Sequence, residues 1–553
     1  MANSSLILAI DVGTGSARAG LFDISGKMLA TATEPIRMWN PQPDHYEQSS
    51  EDIWHAITVT VKQVLAEANV SGDQIAGISF DATCSLVVLD QAGKPLAVNS
   101  EGDNERNIIV WMDHRAITEA DAITAGNYDV LKYVGGTMSP EMETPKLKWL
   151  KSHLPQTWND AGKFLDLADY LTYRASGVDA RSYCTVVCKW TYLGHEGEGG
   201  RWDTDYLRAI GIDDVFDGKR VANDIRPMGA FLGNLTPKAA QELGLSTNCA
   251  VGVGIIDAHA GGLGVLGSVW ENDAAPEPAQ LETALALIGG TSNCHMAVSV
   301  NSVFVPGIWG PYYGAMVPGL WLLEGGQTSA GSTIDHVIAD HAAAPELFAE
   351  AEATGKTPYE ILNQVLSDLM RDEGVPHSCF LTRDIHVLGD FLGNRCPHAD
   401  PLAKGIVDGI TLDKSRTSLA VRYYAAVQAV AYGSREIVEA LNRHGMKISS
   451  LYVTGGGTKN PIWLQEHADA TGLTLVLPKE PEAVLLGTAM LAATACGVYP
   501  TIHAAMQGMS QRGSVITPNP ATAKYHAAKF ACYQDLYNQQ VERRHVMRFF
   551  ENV

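Results

Sequence analysis

The chain has 553 residues, 46% of them apolar and 18% charged, which is enough for two or more domains with real cores. A formal net charge of −22 argues against broad binding to nucleic acid or to an anionic membrane surface and fits a well-solvated protein. No apolar run approaches the roughly 20 residues that span a bilayer, and the start lacks the basic region of a secretion signal. The nine cysteines are scattered; only Cys184 and Cys188 lie close, and no second pair or histidine cluster completes a zinc pattern beside them. A reduced, cytoplasmic chain is expected.

The chain opens on a hairpin. Residues 6–10 form an apolar strand, residues 19–22 begin its return, and Gly13-Thr14-Gly15-Ser16 makes the turn. Gly13 and Gly15 leave no Cβ in the way of a ligand, Thr14 and Ser16 supply hydroxyls, and the N–H groups of such a turn form an anion nest. Asp11 ends the first strand, where a carboxylate holds a cation through its hydration shell. Alone, the turn is equally an ordinary glycine-rich hairpin; with Asp11 it suggests nucleotide phosphate and Mg²⁺.

Residues 28–31 suggest a third strand, and 39–44, with Pro41 and Pro43, a loop. Residues 51–68 carry helical spacing through Ile53, Ile57, Val61, Val64 and Leu65. A buried-type strand, 75–80, runs into Asp81-Ala82-Thr83-Cys84-Ser85 and then into a strand at 86–89. Residues 108–116 predict a strand ending in the charged cluster Asp113-His114-Arg115, which reads equally as a strand-edge ion pair. A helix starts within 140–150, with Lys146, Lys148 and Trp149, and another spans 163–177. Lys189 lies among apolar and aromatic residues, where a lysine either snorkels to the surface or contacts a substrate oxygen. Residues 251–262 predict a strand delivering Asp257 into a glycine-rich turn, with His259 a neighbour of that turn and no metal ligand.

The opening pattern then recurs. Apolar 285–288 leads into Gly289-Gly290-Thr291-Ser292, and a second strand follows. Two such hairpins suggest a duplicated domain with two phosphate-binding turns. Glu324 follows an apolar strand, 376–400 is loop-rich, and 419–441 is one long helix by spacing. Residues 451–461 read as strand, glycine turn and helix, with Asn460 the N-cap and Pro461 the first helical residue. Gly455, Gly456 and Gly457 leave room for a flat ligand such as adenine against the backbone. After a last strand at 473–477, the helix around 482–489 is rich in small residues, which suits close packing.

Walker and protein-kinase patterns are absent. The order of the opening hairpin, Trp111-Met112-Asp113-His114-Arg115, Asp257, Gly290-Thr291-Ser292, Glu324, 389–395 and Gly455-Gly456-Gly457 resembles the actin–hexokinase–chaperone superfamily and, within it, the FGGY carbohydrate kinases, most closely the ribulokinase branch. The resemblance implies an α/β fold of two ribonuclease-H-like domains, 1–266 for the sugar and 267–553 for ATP, with a cleft between them. It implies ATP-dependent phosphorylation of a ketopentose, D-ribulose before L-ribulose, xylulose or another ketose or polyol, with Asp257 as general base. Thr83, Cys84, Lys189, Asp257 and Glu324 are the implied sugar contacts. Asp11, Gly13, Thr14, Gly15, Ser16, Arg18, Gly290, Thr291, Gly455, Gly456, Gly457 and Asn460 are the implied ATP contacts, with Asp11 on Mg²⁺ through water. Sugar and ATP are the expected partners, without nucleic acid or membrane and with a homo-oligomer open. The competing class is an actin-like or chaperone-type ATPase; Asp257 together with Lys189 and Glu324 argues for the kinase.

Overall fold

The computed structural model describes residues 5–271 and 277–548. The mixed α/β chain separates into two compact units. The first is Met1–Leu281, Val298–Leu323 and Pro478–Arg512; the second is Glu282–Ala297, Glu324–Leu477 and Gly513–Val553. The halves expected from the sequence are contiguous, whereas these units are threaded: 298–323 and 478–512 pack with the first.

The first unit is built on strand Leu6–Val12, buried throughout. It pairs antiparallel with Ser16–Phe22, which pairs antiparallel with Met28–Pro35. On its other side it runs parallel to Ile75–Ala82. A strand covered on both faces needs a continuous apolar run, and 6–10 provides one. Helix Ser50–Glu67 puts Ile53, Ile57, Val61 and Val64 into the core of this sheet. The Ser49 side chain accepts a hydrogen bond from the Asp52 N–H and caps the helix.

Helix Ala483–Ala495 joins this unit from late in the chain. A Cβ on Gly487 would stand 1.9 Å from the Ala260 carbonyl oxygen, and one on Gly264 would stand 2.0 Å from that of Ala483. Helices Asp257–Leu266 and Ala483–Ala495 therefore meet backbone to backbone, which only glycine permits.

Three local expectations change. Of the loop expected over 39–44, residues 39–42 belong to strand Met38–Gln42 and only 43–44 form a turn, before strand His45–Gln48. Pro41 is tolerated because Met38–Gln42 is the edge of its five-stranded sheet, where a missing N–H costs no ladder bond. The single helix expected over 163–177 is strand Ala161–Asp166 followed by helix Leu167–Ser176. The strand pairs with Leu86–Asp90, and Asp166 caps the helix through the Ala168 N–H at 3.3 Å. The glycine-rich turn expected after Asp257 is helix Asp257–Leu266, whose glycines serve packing instead.

In the second unit, strand Ala284–Gly289 pairs antiparallel with Asn293–Ser299 and parallel with Ser450–Thr454, which runs parallel to Thr474–Pro478. A hairpin whose first strand has a parallel neighbour is also the centre of the first unit, as a duplication would leave it. Helix Arg416–Arg443 runs unbroken for 28 residues. Among the described residues no helix is long and apolar enough to cross a membrane.

Candidate active site

Parallel pairing sets Asp11 opposite Asp81, and antiparallel pairing sets it opposite Arg18. Arg18 Nε donates to Asp11 Oδ2 at 2.6 Å, and Arg18 Nη1 to Glu482 Oε2 at 2.8 Å. Asp81 is fully buried; burial, then the neighbouring Asp11 charge, hold its carboxyl well above the usual range. It receives the Thr488 hydroxyl on Oδ2, and among the described residues its Oδ1 has no ordinary hydrogen-bond partner. The Gly13 N–H donates to the Ser16 carbonyl at 3.0 Å and closes the turn. Trp111 Nε1 donates to Thr14 Oγ1 at 3.0 Å, and Gln48 Nε2 to the Thr14 carbonyl at 2.8 Å. A Cβ on Gly15 would meet nothing within 4 Å, so the turn faces open space.

The charged cluster after residue 108 holds this turn in place. Arg115 donates to Asp113 at 2.8 Å and to Glu47 at 3.0 Å, all three buried, and Asp113 also accepts the Tyr46 N–H at 2.6 Å. A buried network of this kind fixes the approach of Trp111 to Thr14.

The second group of side chains in this unit surrounds Asp257. Asp257 is the first residue of its helix, and its Oδ1 accepts the Ala258 N–H at 2.7 Å. Loss of solvation and the Asp11 charge raise its carboxyl to about 6, against the opposing pull of that N–H, His259 and Lys189. Lys189 ends helix Tyr183–Lys189 and is buried, its Nζ 4.4 Å from the centre of the Trp309 ring. Cys84 is buried within electrostatic reach of Lys189, Asp166, Lys146 and Asp257, and burial pushes its thiol up. Thr83 is tied by its N–H to the Val12 carbonyl at 3.0 Å and by its hydroxyl to Ser85 at 3.1 Å.

The sequence assigned no role to Glu143, Lys146 or Asp166, which stand in the same buried setting. Glu143 and Lys146 are wholly inaccessible and face each other at 3.6 Å; among the described residues no ordinary hydrogen bond reaches the Glu143 oxygens or Lys146 Nζ. Burial lifts Glu143 to about 7 despite Lys146 and Lys189. Unsatisfied buried polar atoms are costly. A ligand dense in hydroxyls, each both donor and acceptor, would satisfy them.

In the second unit the Gly290 N–H donates to the Ser292 carbonyl at 2.9 Å, and the Ala330 N–H to the Thr291 carbonyl at 2.9 Å. Gly455 has φ +95°, and a Cβ there would lie 2.3 Å from the Gly289 carbonyl oxygen. A Cβ on Gly457 would press on the Trp463 indole at 2.9 Å, while one on Gly456 would meet open space. The glycine turn is therefore flattened against the first strand of the hairpin. Asn460 caps helix Pro461–Thr471 through the Ile462 N–H at 3.2 Å, and its Nδ2 donates to Tyr423 at 2.7 Å. Glu324 is buried in strand Trp321–Gln327 and belongs to this unit. Of the residues singled out by sequence, the first unit thus gathers Asp11, Arg18, Gly13–Ser16, Thr83, Cys84, Lys189 and Asp257, and the second gathers Gly290, Thr291, Gly455–Gly457, Asn460 and Glu324.

Comparison with known proteins adds a family. The sequence model of the N-terminal domain of the FGGY family of carbohydrate kinases matches residues 6–264, and that of the C-terminal domain matches 285–496. The FGGY carbohydrate kinase domain-containing protein of Xenopus laevis is 48% identical over 545 residues, covering 98% of each chain. D-ribulokinase YDR109C of Saccharomyces cerevisiae is 39% identical over 511 residues, 88% of this chain and 71% of its own. The crystal structure of xylulose kinase from Rhodospirillum rubrum superposes with a TM-score of 0.77 at 22% identity, over 98% of this chain and 100% of its own, and shares the fold. With both domains matched in order and the whole length covered, the chain belongs to the FGGY family of carbohydrate kinases, enzymes that phosphorylate a sugar with ATP.

Proposed function

We propose that the sugar is a ketopentose, D-ribulose first, and that Asp257 is the general base. The observation that carries this is the buried polar group around Lys189, which lies in electrostatic reach of Asp257, Cys84 and Glu143, with the side-chain polar atoms of Glu143 and Lys146 lacking ordinary hydrogen bonds among the described residues. The name of the yeast relative supports ribulose among the ketoses. A sugar hydroxyl is a poor nucleophile at neutral pH. A carboxylate raised to about 6 is ionised at pH 7 yet basic enough to take the hydroxyl proton. As the hydroxyl oxygen bonds to the γ-phosphorus, the bond to the β–γ bridging oxygen breaks, ADP leaves, and the proton rests on Asp257. Lys189, Thr83, Cys84 and Glu324 hold the sugar hydroxyls. In this reading Glu143 and Lys146 stand behind Lys189 and set the charge around the sugar site.

The N–H groups of the Gly13–Ser16 and Gly290–Thr291 turns hold phosphate, and Arg18 braces Asp11. Gly455, Gly456 and Gly457 receive the nucleoside, with Asn460 fixing the turn. The residues also fit Mg²⁺: Asp11 offers hard carboxylate oxygen beside an open glycine turn, and Asp81 Oδ1 is buried and unpartnered on the adjacent strand. When bound there, the ion neutralises charge on the transferred phosphoryl group. In this division of labour, 1–266 supplies the general base and most of the sugar contacts, and 267–553 receives the nucleoside. A reducing cytoplasm suits nine cysteines of which none forms a disulfide.

The test is ADP release with Mg-ATP against D- and L-ribulose, D- and L-xylulose, ribitol, arabitol and glycerol. We expect kcat/KM for D-ribulose well above the others. A different preferred sugar would overturn the substrate, and equal ATP hydrolysis with every compound would overturn the sugar site.

A further inference from the structure

Two of the helices that carry the proposed site are joined by a group of side chains the phosphoryl transfer does not use. Cys184 and Cys188 are four residues apart on helix Tyr183–Lys189, so they lie on one face, one turn apart. His259 lies in the first turn of helix Asp257–Leu266. All three are wholly buried. Cys184 Sγ is 3.0 Å and Cys188 Sγ 3.9 Å from His259 Nδ1, and the three donor atoms lie within 4.8 Å of one another.

We propose that Cys184, Cys188 and His259 hold one thiophilic d¹⁰ cation, Zn²⁺ or Cu⁺, which ties the helix ending in Lys189 to the helix beginning at Asp257.

The geometry supports it. With Zn–S of about 2.3 Å and Zn–N of about 2.0 Å, tetrahedral ligation sets sulfur and nitrogen roughly 3.5 Å apart. The two observed sulfur–nitrogen distances, 3.0 and 3.9 Å, bracket that figure without any helix having to move far. Soft thiolates with imidazole select Zn²⁺ or Cu⁺ over the hard Mg²⁺ that carboxylate oxygens take. Two thiolates and a neutral imidazole would cancel the charge of Zn²⁺, which a dry interior requires. The sequence alone hid the site: the cysteines are a lone pair in it, and the histidine is 71 residues beyond Cys188. Cys188 immediately precedes Lys189, and His259 follows Asp257 by two residues. An ion there would fix the spacing of these two groups without touching the sugar. This role rests on the proposed site, but the ligation does not.

Because the ligands are shut off from solvent, the ion is acquired as the chain folds, and the test uses the full-length protein as isolated. It is produced in media supplemented with zinc, copper or cobalt, desalted, and measured by elemental analysis and native mass spectrometry. About one equivalent of zinc or copper per chain is expected, and the metal found decides between the two ions. The cobalt-grown protein should show sulfur-to-cobalt charge-transfer absorption in the ultraviolet. Cys188→Ser and His259→Gln should each lose at least tenfold in bound metal. Far-ultraviolet circular dichroism identifies any variant that fails to fold; the metal content and cobalt spectrum of the unmodified protein stand independently of the variants. Folded wild-type protein that takes up no metal in any medium would overturn the proposal. So would cobalt without thiolate absorption, or folded variants that keep their full metal content.

Discussion

Glu143 and Lys146 stand side by side, 3.6 Å apart and fully buried, and among the described residues no ordinary hydrogen bond reaches their side-chain polar atoms. Burial raises Glu143 from 4.5 to about 7. Between those values the native chain keeps a proton that the unfolded chain releases, so stability falls as pH rises from about 4.5 to 7 and levels above it. The full loss is on the order of 3 kcal/mol at roughly 1.4 kcal/mol per unit. Urea unfolding from pH 4.5 to 8 should show this slope in the wild type and a flatter one in Glu143→Gln. At Asp257, substitution by Asn should lower kcat by about 10²–10⁴ and leave sugar and ATP binding by calorimetry nearly unchanged. Lys189→Ala removes a charged donor, generally worth about 1.5–3 kcal/mol, so the sugar KM should rise roughly 10- to 100-fold while that for ATP changes little. An unchanged sugar KM would remove Lys189 from the site. Asp257 and Lys189 stood out in the sequence as candidates because each is a charge in an apolar run, and both prove to be buried. Glu143 did not stand out: a glutamate at the start of a helix reads as a solvated cap until the tertiary fold buries it.

At the level of elements, the close meeting of helices Asp257–Leu266 and Ala483–Ala495 governs where Asp257 sits. Gly487→Ala would drive a methyl group into the Ala260 carbonyl, and the helices would have to separate. Overpacking of this kind costs about 1–3 kcal/mol. We expect a lower thermal midpoint and a reduced kcat with a smaller change in ATP KM, measured on the same preparation. The hairpins and their glycine turns were readable because turn chemistry is local. The strand Ala161–Asp166 was not, because its partner Leu86–Asp90 lies far back in the chain. The edge strand Met38–Gln42 was masked by Pro41, which signals a loop everywhere except at a sheet edge.

Across the whole molecule, order of motifs identified the family, while packing decided the units. The small-residue helix near residue 483 announced a close neighbour, but nothing in its sequence named Asp257–Leu266 as that neighbour. Its membership of the first unit has a consequence for how the protein is made. The sheet bearing Asp11 and Asp81 leaves the ribosome early, yet the helix that covers it arrives only after residue 495. At about 5–20 residues per second, roughly 10–50 seconds separate the first half from that closing piece. During that interval the nascent unit exposes the apolar face that Leu485, Ala489 and Ala492 will later cover. A chain ended by a premature stop before residue 483 therefore lacks a wall of its first unit even though every proposed catalytic residue has been translated.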